Sequence, residues 1–122
     1  MRDHRELDVW KKSMELVTDV YALTMAFPKE ELYGLTSQIR RAAVSIPANI
    51  SEGAARQTEK EFVQFLFIAL GSASEVETEL MIAERLNYFV GAQSVLEKLA
   101  AIKQMLNGLI RHYRNKGTKS VR

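Results

Sequence analysis

The chain has 122 residues, 47% hydrophobic and 26% charged, with six Gly, two Pro and no Cys. That length fits one domain with a radius of gyration of about 14 Å. The composition excludes disorder, collagen-like repeats and a loop-rich secreted scaffold. The missing cysteines exclude disulfides, thiolate metal sites and thiol nucleophiles.

No apolar run reaches the roughly 18 residues that a bilayer-spanning helix needs, and Met1 to Glu6 is charged with no apolar signal core behind it. A cytoplasmic protein without membrane association is therefore expected. The net charge of +2 conceals an uneven distribution. Residues 1 to 97 carry ten Lys/Arg against fifteen Asp/Glu, whereas residues 98 to 122 carry seven basic residues and no acid.

The first periodic stretch runs from Leu7 to Ala26, with Leu7, Trp10, Met14, Val17 and Tyr21 on one line and Val9, Leu16, Val20 and Leu23 flanking it. This is helical spacing with a broad apolar face. Phe27-Pro28 ends it, because the residue before proline is pushed out of the helical region and proline has no N–H to donate. With its ring buried, Trp10 would lose about 3 to 5 kcal/mol on truncation to Ala.

A second helix starts at Leu35 and carries Ile39, Ala42, Ala43, Ile46 and Ile50 on one face, reaching Ser51 or Gly53. Pro47 falls inside this pattern and predicts a kink, with Ser45 placed to bond locally at the bend. A true corner at Ser45-Ile46-Pro47 is the alternative. Thr58-Glu59-Lys60-Glu61 is a capping box that opens a third helix. Its core line is Phe62, Leu66, Ala69, Ala73, Val76, Leu80 and Ala83, and it ends near Asn87, a residue suited to a left-handed cap. Phe65, Phe67, Ile68, Leu70, Met81, Ile82 and Leu86 widen the apolar surface beyond one buried stripe. Either this helix is central, or a second protomer covers the excess.

Gly71-Ser72-Ala73-Ser74 predicts close helix packing; a phosphate loop would need a preceding strand and a Gly-Lys-Ser/Thr ending. After the turn at Tyr88-Phe89-Val90-Gly91, a fourth helix carries Val95, Leu99, Ile102, Leu106, Leu109 and Tyr113. With short connections throughout, the fold class is all-α, an antiparallel four-helix bundle over residues 1 to 122, with a basic tail fraying from Arg114 onward.

Chemistry is sparsely provisioned. Histidine occurs only at His4 and His112, too few for a convincing triad. Glu75, Glu77, Glu79 and Glu84 share one helix without the Glu-x-x-His motifs of a di-metal bundle, and read as a solvated acidic stripe with one pair to Arg85. No enzyme activity, metal or cofactor is expected. The nucleic-acid candidates are Arg40, Arg41, Arg56, Arg111, Arg114, Lys116, Lys119 and Arg122, because unopposed cations displace counterions from a phosphate backbone. Lys98 and Lys103 add to the same basic run. The weighed alternative pairs Arg40 and Arg41 with Glu52 or with the acidic third helix.

The stretch from Leu35 to Gly53, with Gln38-Ile39-Arg40-Arg41-Ala42-Ala43 and Pro47-Ala48-Asn49-Ile50-Ser51-Glu52-Gly53 at its heart, resembles the signature of a bacterial four-helix bundle family. That family is named for the intervening sequences of 23S ribosomal RNA genes and is also labelled the S23 ribosomal protein family. Leu7-Asp8-Val9-Trp10, the run from Glu61 to Ser72, and Met105 to Ile110 resemble its flanking motifs, so the likeness covers about residues 5 to 114. Trp10, Pro47, Asn49, Glu52, Gly53 and Gly71 are its structural positions here, and Ser51 replaces the alanine usual before the Glu-Gly element. The resemblance implies a ring-shaped homopentamer without enzymatic activity. It also implies a fold similar to the accessory variability proteins of diversity-generating retroelements, which engage RNA and a reverse transcriptase. Two functions compete: an oligomeric scaffold contacting RNA or DNA through backbone electrostatics, and a protein-interaction module.

Overall fold

The computed structural model describes residues 3–121, with side chains through Asn115. Four helices follow one another: α1 (Asp8–Thr24), α2 (Leu35–Ala54), α3 (Glu59–Arg85) and α4 (Gln93–Val121). Short 3-10 turns at His4–Glu6 and Lys29–Glu31 precede α1 and α2. Each helix packs on two others, α1 and α3 both lying against α2 and α4. Cross-helix pairs fix direction. Ser45 meets Ser72 while Gly53 approaches Phe62, and Glu77 meets Lys103 while Phe62 meets Tyr113. Advancing along α2 or α4 thus means retreating along α3.

The core is a column of fully buried side chains led by Phe62, Leu16, Ile39, Ile46, Ile50 and Leu66. Each such side chain contributes about 1.5 to 3 kcal/mol by leaving water. The α3 core line is buried at all seven expected positions. In α4 the seam is buried through Leu106, after which Ile110 replaces Leu109 as the deepest residue.

The broad apolar face expected of α1 faces the core, with the flanking line the deeper one. Val9, Leu16 and Val20, the flanking line, are buried, whereas Met14 and Tyr21 are exposed and Trp10 is half-buried. The cause is two small polar residues in core positions. Ser13 and Thr24 are buried and return their hydroxyl protons to the carbonyls of Val9 and Val20, at 2.6 and 2.8 Å. A count of apolar side chains alone passes over such positions.

Helix α2 is unbroken through Pro47, so no corner forms there. Proline has no N–H for the carbonyl one turn earlier. Ser45 bonds locally as expected, its hydroxyl accepting from Asn49 Nδ2 one turn on at 2.8 Å, and it also joins Ser72 on α3 at 2.9 Å. Thr58 caps α3, accepting from the Glu61 N–H at 3.1 Å and donating to its carboxylate at 3.0 Å. Asn87 takes the left-handed conformation after α3, with φ 62°. The α4 backbone stays helical past Arg114, where fraying is expected.

At one end, Phe27 stacks on Phe89 and tilts against Tyr88, tying the α1–α2 and α3–α4 connections together. The Tyr88 hydroxyl donates to Glu31 at 2.7 Å, and the Leu35 N–H donates to the other carboxylate oxygen at 3.0 Å. Both hold the Glu31 carboxyl below the usual range, and the bond to Glu31 raises the Tyr88 hydroxyl. Glu31 thereby caps the start of α2, where Gly34 has no side chain to offer.

Candidate nucleic-acid interface

The basic candidates divide into two groups on α2. Arg40 is a clamp between α1 and α2: its Nε donates to Thr24 Oγ1 at 2.9 Å, and its guanidinium lies 4.6 Å from the Tyr21 ring centre. Arg41 is exposed on the other side, facing α3. Neither pairs with Glu52, which instead bridges Arg56, just past the end of α2, at 3.3 Å. Thirteen helical positions separate Arg41 from Ala54 at the end of α2, about 20 Å along the axis, and Arg56 lies just beyond. Arg40 and Arg41 therefore do not share a patch with Arg56 or with Arg114.

Arg56 belongs to the second group. Its guanidinium stands 4.9 Å from the centre of the Phe65 ring, while that of Arg114 stands 5.8 Å from Phe67. Phe65 and Phe67 are two residues apart on α3 and so point to nearly opposite flanks. One arginine arrives from the α2–α3 connection and the other from α4, bracketing the amino-terminal half of α3. Phe67 is 46% exposed, and Arg111 and His112 on α4 are exposed as well. Lys116, Lys119 and Arg122 lie outside the described side chains.

The basic run is less free than its sequence implies. Lys98 bonds Asp19 at 2.7 Å and Glu15 at 3.3 Å, contacts that raise its ammonium pKa. Lys103 pairs with Glu77 at 3.3 Å. Both tie α4 to its neighbours. Arg56 is likewise paired, with Glu52 at 3.3 Å, whereas Arg41 and Arg111 are exposed.

The structural positions sort by environment. Gly53 is buried where α2 and α3 come closest: an added Cβ would stand 2.6 Å from the Phe65 Cβ. Gly71 is exposed, and an added Cβ there meets nothing within 4 Å. Its smallness is thus not required by packing within the bundle, contrary to expectation. Asn49 Nδ2 donates to the carbonyl and hydroxyl of Ser45, Pro47 is buried, and Trp10 meets the edge of His4 at 5.1 Å.

The acidic stripe also departs from expectation. Glu79 is only 7% exposed, and its Oε1 is sealed without a hydrogen-bond partner. Burial, reinforced by Glu75, pushes its carboxyl up to about 7, with Arg41 opposing weakly. The Glu75/Glu79 spacing is visible in the sequence, but which side of α3 it occupies depends on packing. Among the described residues no three His, Cys, Asp or Glu side chains gather to hold a metal ion. None of the described helices is long and apolar enough to cross a membrane.

These features define an all-α bundle with a divided basic surface and uncovered apolar side chains on α3. The family model of the 23S rRNA-intervening sequence proteins matches residues 5–108, and the chain belongs to that family. The bundle is similar to the crystal structure of a protein of unknown function from the S23 ribosomal protein family of Bacteroides thetaiotaomicron. That similarity has a TM-score of 0.77 and 28% identity, over 84% of this chain and 97% of the other. No curated protein matches the chain.

Proposed function

We propose that the protein is a non-enzymatic oligomeric scaffold that engages RNA or DNA through backbone electrostatics. The observation that carries this reading is the bracketing of α3 by Arg56 and Arg114 over Phe65 and Phe67, next to the basic end of α4. Guanidinium groups beside aromatic faces suit a phosphate chain with unstacked bases. Glu52 and Glu61 stand at the same end, so a single copy binds modestly and repetition around an assembly supplies avidity.

Oligomerisation is supported by the uncovered α3 surface. Phe67, Ile68 and Ile82 are 44 to 49% exposed around the open Gly71 face, where a second copy's helix has room to approach. A homopentamer is the assembly implied by the family resemblance, and a reverse transcriptase is a partner by fold analogy alone.

Fluorescence anisotropy with a structured RNA, titrated at several salt concentrations, tests the electrostatic reading. Micromolar or tighter binding with a steep salt dependence is expected. Charge reversal at Lys116, Lys119 and Arg122 should flatten the salt slope by about one per lost phosphate contact, with the oligomer intact. No binding at low salt overturns the reading. The second reading, a protein-interaction module, is favoured by the pairing of Lys98 and Lys103 to acids within the bundle.

A further inference from the structure

The seam between α2 and α3 contains a carboxyl group whose surroundings suit its neutral form. Glu79 is more than nine-tenths buried, and its Oε1 reaches no hydrogen-bond donor. An ionised carboxylate in that position costs several kcal/mol unless it is paired. The charged groups facing it among the described residues are Glu75, one turn earlier on α3, and Arg41 on α2. Arg41 is exposed, and its attraction is the weakest of the influences on Glu79. A like charge one turn away and a sealed oxygen both favour keeping a proton at this place.

We propose that Glu75 and Glu79 share one proton at neutral pH, and that losing it draws the Arg41 guanidinium onto α3 and away from solvent. Protonated, the pair carries a single negative charge, and the acid of one residue donates to the carboxylate of the other. On deprotonation the proton passes to bulk water and the pair carries two negative charges beside one exposed guanidinium. The carboxyl of Glu79, raised to about 7 by burial, places this change near neutrality. The pair is a latch: at lower pH Arg41 is available to an external phosphate, and at higher pH it is held within the bundle.

The consequence for RNA rests on the electrostatic function proposed above; the latch itself does not. Histidine is the other side chain that changes charge near neutrality, so the experiment uses a background carrying His4→Gln and His112→Gln. Glutamate carboxyl carbons are followed by NMR from pH 4 to 9 in that protein and in its Glu79→Gln variant. Anisotropy with an oligouridine RNA is read at pH 6 and pH 8.

The expected result is a glutamate titration near neutrality that is absent from the Glu79→Gln variant. RNA binding should weaken severalfold from pH 6 to pH 8, and this change should vanish in Glu79→Gln. Titration of Glu79 in the ordinary carboxylate range overturns the latch. A pH effect on RNA that survives Glu79→Gln overturns its coupling to Arg41. Absence of RNA binding at both pH values, with the Glu79 titration near neutrality present, overturns the electrostatic function and leaves the latch standing.

Discussion

Gly53 on α2 lies so close to Phe65 on α3 that a β-carbon on the glycine would stand 2.6 Å from the phenylalanine Cβ and 3.0 Å from Phe62 Cδ1. The Phe65 Cβ is fixed to its backbone and cannot swing aside as the tip of a long side chain can. Replacing Gly53 with Ala gains about 0.5 to 1 kcal/mol of helix propensity. Against this, overpacking a close contact costs about 1 to 3 kcal/mol. We expect Gly53→Ala to lose about 1 to 2 kcal/mol, read as a lower urea midpoint at unchanged m-value. A higher midpoint would show that the two helices separate freely at this point.

Gly71 gives the opposite expectation for the isolated protomer. An added methyl meets nothing within 4 Å, so Gly71→Ala should stabilise the bundle by about 0.5 to 1 kcal/mol through propensity alone. If another copy's helix lies on this face, the same methyl weakens the assembly. Light scattering after size exclusion, combined with unfolding at high dilution, separates the effects. Increased protomer stability with an unaltered mass distribution would remove Gly71 from any interface.

The fold was legible wherever burial follows apolar periodicity. The α3 core line, the Thr58 cap and the left-handed Asn87 all follow from local chemistry that the chain spells out. In α1 the centre of the buried face lies on the flanking line, because Ser13 and Thr24 are buried by satisfying their hydroxyls on their own helix. The candidate site was less readable. Charge along a sequence does not reveal partners 79 and 26 positions away, which is how far Lys98 and Lys103 reach to Asp19 and Glu77. Nor does it reveal that Arg40 rests on Tyr21 while its neighbour Arg41 looks toward Glu79. Adjacent helical residues point about 100° apart, and only packing decides what each one meets.

Trp10 packs against the rim of the core and contacts His4 edge-on at 5.1 Å, but it is half-buried. The full cost of removing a core tryptophan therefore does not apply. Trp10→Ala should lose about 1.5 to 3 kcal/mol, less than a truncation at the fully buried Phe62. Urea unfolding of the two variants side by side checks the ranking. Equal losses would mean that the indole is as deeply packed as the Phe62 ring.

Glu79 makes the stability of the bundle depend on pH in an unusual direction. Its carboxyl is raised from the ordinary 4.5 to about 7, chiefly by burial and then by Glu75. Between these values the folded chain binds more protons than the unfolded chain, so stability falls as pH rises. The contribution is fully present below 4.5 and is lost as pH passes through about 7. Glutamine has the same shape and no charge to desolvate. Glu79→Gln should therefore match the parent near pH 4.5 and exceed it at pH 8 by about 1 to 2 kcal/mol. Paired urea titrations at these two pH values, in the His4→Gln and His112→Gln background, measure the difference directly. A constant offset between parent and variant at both pH values would mean that Glu79 enters the folded state already ionised.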